Sequence, residues 1–264
     1  MTDSALDLRP IAHAALSLTE APYLKHYRRG RFRTWNGVAF TGSDLPGPGF
    51  NFASVLGPAP PFDDILPIAQ EFFADATQGW GVLVEGDAGH PVEAELKARG
   101  WVVAEDEPAF VIPQLSTAAL LAQGPQELAI RRVCTDADEA IFHALLAGAF
   151  GAPPEFATAM LPVVPFISNP EIALFIGSAD GRDVSATGYS RVGPTAIVTG
   201  LGTLESDRGR GYGAAITRAT LAAAAANGCT SAALRSGPKS VPLYERLGFR
   251  YVCQHRTYAA PPPA

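Results

Sequence analysis

Hydrophobic and polar residues change period several times along the chain, and each period predicts an element. "ELAIRRV", residues 127–133, alternates in polarity and reads as a strand. In "TDADEAIFHALLAGAF", residues 135–150, Ile141, Leu145 and Ala149 fall on one helical face, with Thr135 or Asp136 as N-cap. "PPEFATAMLP", 153–162, reads as a short helix in a proline-rich loop. Residues 171–205 divide into a three-strand meander, with turns at 179–181 and at Gly193-Pro194. A helix over 211–227, a strand over 230–236, a helix over 239–247 and a strand over 249–258 complete this half.

The first half closes in the same order. A helical pattern near 62–78 precedes the strand "WGVLVEG", and "HPVEAELKARGWVV" repeats what "KSVPLYERLGFRYV" does later. Each is a short amphipathic helix, then Gly-aromatic (Gly100-Trp101 and Gly248-Phe249), then a strand of mixed polarity. Glycine suits the left-handed position that ends a helix, and the aromatic starts the next strand facing inward. The pattern predicts an α/β (α+β) chain of two related tandem lobes. Each would be a mostly antiparallel mixed sheet flanked by helices, over residues 1–118 and 127–260, with the linker within 113–126.

Composition narrows the function classes. With 47% hydrophobic residues among 264, the chain can bury one large core or two. Its 20 basic residues against 26 acidic ones, net −6, disfavour nucleic-acid binding, which needs a basic face. No run of 18 apolar residues is present to cross a membrane, and the N-terminus carries Asp3 and Asp7 where a secretion signal would be apolar. Cys134, Cys229 and Cys253 show neither CxxC nor metal-ligand spacing. The expectation is a cytoplasmic protein with reduced thiols, no metal, and no nucleic-acid or membrane partner, with a homodimer left open. "HYRRGRFR", 26–33, is basic; it reads as a solvated surface or as an electrostatic guide for an acidic ligand.

One stretch carries chemistry. In "RGRGYG", 208–213, three glycines alternate with two arginines just before a nearly uncharged helix. Amides at a helix start and the helix dipole make an anion site, glycines let the backbone come close, and arginines add charge-assisted bonds. Together they point to phosphate. Gly209-x-Gly211-x-x-Ala214 formally fits a dinucleotide fingerprint, but it follows an antiparallel meander, and no acid ends the next strand to hold a ribose. A P-loop lacks its Lys-Ser/Thr.

Arg208, Gly211 and Gly213 also fit Arg/Gln-x-x-Gly-x-Gly/Ala, and "LYERLGF", 243–249, follows at a fixed distance. In these two motifs, over about residues 127–258, the chain resembles the GCN5-related N-acetyltransferases. The resemblance implies acetyl-CoA as co-substrate. Its diphosphate would lie on the amides of Arg208, Gly209, Arg210, Gly211, Tyr212 and Gly213. Its pantetheine arm would pair like an added strand with Leu201, Gly202 and Thr203. Tyr244 would protonate the leaving thiolate. Glycines at 200 and 202 suit a strand edge that bulges to admit a ligand.

The chain departs from the family in two places. Gly237 stands where many relatives have a cofactor-contacting Asn, and "TAIVTGLGT" lacks the Glu that often serves as base. Glu205, His143 and His255 are the alternatives for a base, and the reaction needs none if the amine arrives neutral. Cys229 is expected to face core, which favours direct attack of the amine on the thioester. In the first lobe Leu96 takes the place of Tyr244, and "GPAPPFDD", 57–64, replaces amide donors with prolines and adds Asp63 and Asp64. That lobe is expected to support the second and not to bind CoA. Phe156, Met160 and Phe166 suit an acceptor cleft or a core. The acceptor implied is a small-molecule primary amine, with a protein amine as the alternative. A non-catalytic acyl-CoA sensor or scaffold is the reading from another class.

Overall fold

A computed structural model describes residues 7–17, 24, 30–43, 45–76, 79–86, 89–116, 128–153 and 169–261. In chain order the elements are α1 (Arg9–Ser17), β1 (Arg31–Trp35), β2 (Val38–Gly42), β3 (Phe52–Val55), α2 (Phe62–Phe72), β4 (Gly81–Gly86), α3 (Pro91–Ala98) and β5 (Val102–Ile112). Then come β6 (Ala129–Arg132), α4 (Asp136–Phe150), β7 (Ile172–Ala179), β8 (Arg182–Val192), β9 (Thr195–Thr203), α5 (Tyr212–Ala226), β10 (Ser231–Arg235), α6 (Val241–Arg246) and β11 (Arg250–Ala259). The fold is mixed α/β with mostly antiparallel strands flanked by helices. Two compact units share the chain. One holds Met1–Val111, Arg235–Pro242 and Arg250–Ala264; the other holds Ile112–Leu234 and Leu243–Phe249.

In the first unit, Asn36 (φ 44°) and Gly37 (φ 82°) close the β1–β2 hairpin, as a two-residue turn with both φ positive requires. β2 pairs antiparallel with β3, β3 parallel with β4, and β11 antiparallel with both β4 and β5. Phe40, Phe62, Ile65, Val82, Leu96 and Tyr258 are buried together. A side chain the size of Phe62 contributes about 1.5–3 kcal/mol on full burial. Trp101 sets its ring edge-on to Phe62 at 5.5 Å. The Tyr258 hydroxyl donates to the buried Glu93 carboxylate at 2.8 Å, and Arg256 adds a bond to the same oxygen at 3.1 Å. The basic segment enters the described residues only from Gly30. There Arg31 serves the fold, donating to Asp75 at 3.0 Å and to the Phe72 carbonyl at 2.9 Å.

The expected division ran the second lobe to residue 260. The structure assigns 250–259 otherwise: β11 lies between β4 and β5 of the first unit. Its ladder to β4 runs unbroken from Gln254 opposite Gly86 to Ala259 opposite Gly81. Hydrogen-bonded register sets a strand's place in a sheet, and hydropathy cannot express it.

In the second unit, β6, β7, β8 and β9 pair antiparallel in that order, and β9 pairs parallel with β10. Asp180 (φ 51°) and Gly181 (φ 73°) close the β7–β8 turn. Thr135 is the N-cap of α4, its side chain accepting from the Asp138 amide at 3.1 Å, and left-handed Gly151 ends the helix. The helix expected at 153–162 lies outside the described residues from 154 onward, as do Phe156, Met160 and Phe166. Among the described residues no helix is long and apolar enough to cross a membrane.

Candidate active site

The site is built on the far half of β9. Parallel rungs join β9 to β10 at Thr195, Ala196 and Ile197, and β9 then continues to Thr203 with its registered rungs on β8 alone. The two strands pair at one end and part at the other. On the β8 side the register slips between Ala186/Gly202 and Gly188/Thr199, so β9 holds one extra residue there. Gly200, at φ 62°, lies in this bulge.

A bulge takes carbonyls out of the ladder, and β8 side chains recover them. Thr187 donates to the Thr199 carbonyl at 3.2 Å, and fully buried Ser185 donates to the Gly202 carbonyl at 2.9 Å. Ser185 also lies 3.0 Å from the Thr203 hydroxyl. Neither Ser185 nor Thr187 stands out in the sequence, because a small hydroxyl on a strand carries no motif. Beneath the bulge, α4 comes close because glycine is there. A Cβ on Gly202 would lie 2.7 Å from the Ala149 methyl, and one on Gly200 would lie 3.4 Å from Leu146.

The loop from β9 to α5 passes through a 3-10 turn at Glu205–Asp207 and reaches the α5 N-cap at Gly211. Gly209 (φ 79°) and Gly211 (φ 83°) occupy the left-handed region that glycine allows. The α5 start has no side-chain cap and no acid in its first turn. Its leading amides and the dipole's positive end therefore meet no carboxylate of their own first turn to oppose an anion. Arg210 is exposed beside them.

The Arg208 side chain bonds within the protein. Its guanidinium donates to the Ala149 carbonyl at 2.6 Å and to the Thr203 carbonyl at 3.1 Å. It ties the loop to the end of α4 and to β9, and so shapes the loop that carries the amides of 208–213. Buried Asp207 anchors the same loop from the other side through Arg182 at 3.2 Å, and the Ser206 hydroxyl and that arginine hold its carboxyl below the usual range.

Tyr244 lies on α6 and is buried, edge-on to Phe249 with ring centroids 5.6 Å apart. The preceding residue reaches the loop: a Cβ on Gly213 would sit 3.8 Å from Leu243 Cδ2 and 3.5 Å from Thr203 Oγ1. Thr203, Gly213 and Leu243, the neighbour of Tyr244, thus meet at one place. Burial pushes the Tyr244 hydroxyl up to about 12, so it keeps its proton at neutral pH.

The alternatives for a base separate. Glu205 is exposed in the 3-10 turn. His143 is buried on α4, and His255 belongs to the first unit on β11. Cys229 is buried and its thiol is pushed up by that burial, which leaves it a poor nucleophile. A carboxyl that the motifs did not single out is Glu139. It is fully buried on α4 with both oxygens unpartnered, and burial, reinforced by Asp136, pushes it to about 7.

Residues 143–249 match the acetyltransferase (GNAT) family. The family matched is one of acetyltransferases that use acetyl-CoA as co-substrate. The fold of the chain is that of a GCN5-related N-acetyltransferase from Kribbella flavida, at 17% identity and TM-score 0.69 over 95% of this chain and 96% of that one. A GCN5-related N-acetyltransferase from Sphaerobacter thermophilus gives TM-score 0.59 at 14% identity, covering 95% and 91%. A GCN5-related N-acetyltransferase-like protein from Streptococcus suis gives 0.55 at 14%, covering 97% and 99%. No curated protein matches the sequence.

Proposed function

We propose that the chain transfers an acetyl group from acetyl-CoA directly to the primary amine of a small molecule. The observation that carries this reading is the conjunction of the parted β9–β10 pair with the uncapped glycine start of α5. Amides of 208–213 and the Arg210 guanidinium hold the diphosphate, and backbone of Leu201, Gly202 and Thr203 pairs with the pantetheine arm. The amine nitrogen attacks the thioester carbon, the C–S bond breaks, and Tyr244 gives its proton to the sulfur. The amine arrives neutral and, since β9 carries no acid, its surplus proton passes to water, from which the Tyr244 phenolate regains the proton it gave.

We further propose that the two units descend from one lobe and that only the second binds CoA. Each has an antiparallel meander, a helix, and a strand parallel to the meander's last: β1–β3, α2, β4 in one and β7–β9, α5, β10 in the other. Each also ends a short helix alike, with Trp101 donating to the Leu96 carbonyl and Phe249 to the Tyr244 carbonyl, both at 3.0 Å. In the first unit, however, α2 follows Pro61 and opens with Asp63 and Asp64, which would repel phosphate. Titration calorimetry of acetyl-CoA into wild type and into Gly211→Asp/Gly213→Asp tests both statements. One equivalent is expected, lost in the variant; two equivalents would overturn the single-site reading, and no binding to wild type would overturn the enzyme reading.

The missing acid on β9 favours a second reading, an acyl-CoA sensor without turnover. Screening amines with acetyl-CoA separates the two, since a sensor releases no CoA thiol above background with any acceptor.

A further inference from the structure

In the first unit, three chain segments far apart in sequence bring metal-ligating atoms together. Cys253 and His255 stand two apart on β11, and no bulge lies between them, so both point to one face of the sheet. His255 is paired in register with Glu85 of β4, which puts the carboxylate on that same face. His13 of α1 comes over them. Its Nε2 lies 3.6 Å from the Cys253 sulfur and 2.9 Å from Glu85 Oε2. One ligating atom each from His13, Cys253 and His255 all lie within 4.8 Å of one another.

Two further observations point to a ligand. His255 is 1% exposed, yet neither ring nitrogen has a hydrogen-bond partner among the described residues. An unpaired buried polar atom costs about 1–3 kcal/mol, so a bare cluster would be a poor way to build this core. The other is the spacing itself. A tetrahedral zinc with Zn–N of about 2.0–2.1 Å and Zn–S of about 2.3 Å holds nitrogen and sulfur about 3.6 Å apart, the separation of His13 from Cys253.

We propose that His13, Cys253, His255 and Glu85 form a zinc site that fastens α1 to β4 and β11. One sulfur and two imidazoles already converge; Glu85, which meets His13 but lies outside that convergent trio, would turn in as the fourth ligand, and four protein ligands leave no open position, which makes the site structural. Binding exchanges the Cys253 thiol proton for the metal, and the proton leaves to solvent. With a thiolate and one carboxylate against Zn²⁺, the ligand shell is neutral. Arg9 donates to Glu85 Oε1 at 2.8 Å, leaving Oε2 on the His13 side, and so orients the carboxylate as outer partners of metal ligands do. The site belongs wholly to the first unit, and its test does not depend on acetyl transfer.

The experiment uses the full chain, stripped with a chelator and titrated with Zn²⁺ against a chromophoric competitor. One zinc per chain is expected, with proton release. Cys253→Ser and, separately, His13→Ala should each weaken binding by more than the roughly 10- to 100-fold that an outer partner is worth. Co²⁺ in place of zinc should give the visible bands of a tetrahedral ion and a thiolate charge-transfer band that Cys253→Ser removes. His13 is the less buried ligand, so His13→Ala serves if Cys253→Ser fails to fold. Substoichiometric uptake by wild type, octahedral cobalt bands, or wild-type affinity in His13→Ala would each overturn the proposal.

Discussion

The guanidinium of Arg208 donates to the carbonyl of Ala149, 59 positions earlier, at 2.6 Å. With its second bond to Thr203, this ties the glycine loop to the helix beneath it. Arg208→Ala removes both bonds from an exposed side chain, and a loss of about 1 kcal/mol in stability is expected. The larger effect falls on the loop. Amide exchange over 209–214 should rise, and acetyl-CoA affinity measured by calorimetry should fall about tenfold, equivalent to about 1.4 kcal/mol. Unchanged exchange in the loop would remove Arg208 from its shaping role.

Tyr244 keeps its proton to about pH 12 and is a donor without being a base. Tyr244→Phe keeps the ring against Phe249 and deletes the proton. Turnover should fall by about 10²–10⁴, the range for a general acid, while acetyl-CoA affinity is retained. Steady-state kinetics with calorimetry on the same samples checks this. Full turnover in the variant would move the acid elsewhere.

Glu139 should make stability depend on pH. Its folded value of about 7 lies above the ordinary 4.5, so the folded state holds the proton more tightly. Stability is therefore greatest at low pH and falls as pH rises from about 4.5 through 7, by about 3 kcal/mol in total. Glu139→Gln removes this penalty. Urea unfolding should find the variant close to wild type at pH 4.5 and more stable by up to about 3 kcal/mol at pH 8. Equal gains at both pH values would mean that the carboxyl is not the cause.

Gly202 and Gly209 should tolerate a methyl differently. At Gly202 the added Cβ meets Ala149 at 2.7 Å, and overpacking of about 1–3 kcal/mol is expected from Gly202→Ala. At Gly209 nothing lies within 4 Å, and only the left-handed φ of 79° opposes the change, at about 1–2 kcal/mol. Gly202→Ala should also displace α4 from β9, seen as faster amide exchange in α4, whereas Gly209→Ala should leave α4 unchanged.

Much of this was legible locally. Thr135 as a cap, Gly100 and Gly248 as left-handed helix ends, the turns at 179–181 and 193–194, and the helix that follows the glycine loop are each written in a few adjacent residues. Backbone preference acts over that same range, so neighbours suffice to read it. The family motifs at 208–213 and 243–249 are local in the same sense.

The rest required the folded chain. The stretch 250–259 reads as a strand, but its place between β4 and β5 comes from hydrogen bonds to residues more than a hundred positions away. The hydroxyls of Ser185 and Thr187 matter only because the opposite strand bulges. Arg208 has the residue type of a phosphate ligand and spends its side chain on two carbonyls. His13, Glu85, Cys253 and His255 show no ligand spacing along the chain, and a sheet face and one helix bring them together. A motif records which groups are available; pairing register and burial select their partners, because both depend on segments that sequence distance separates.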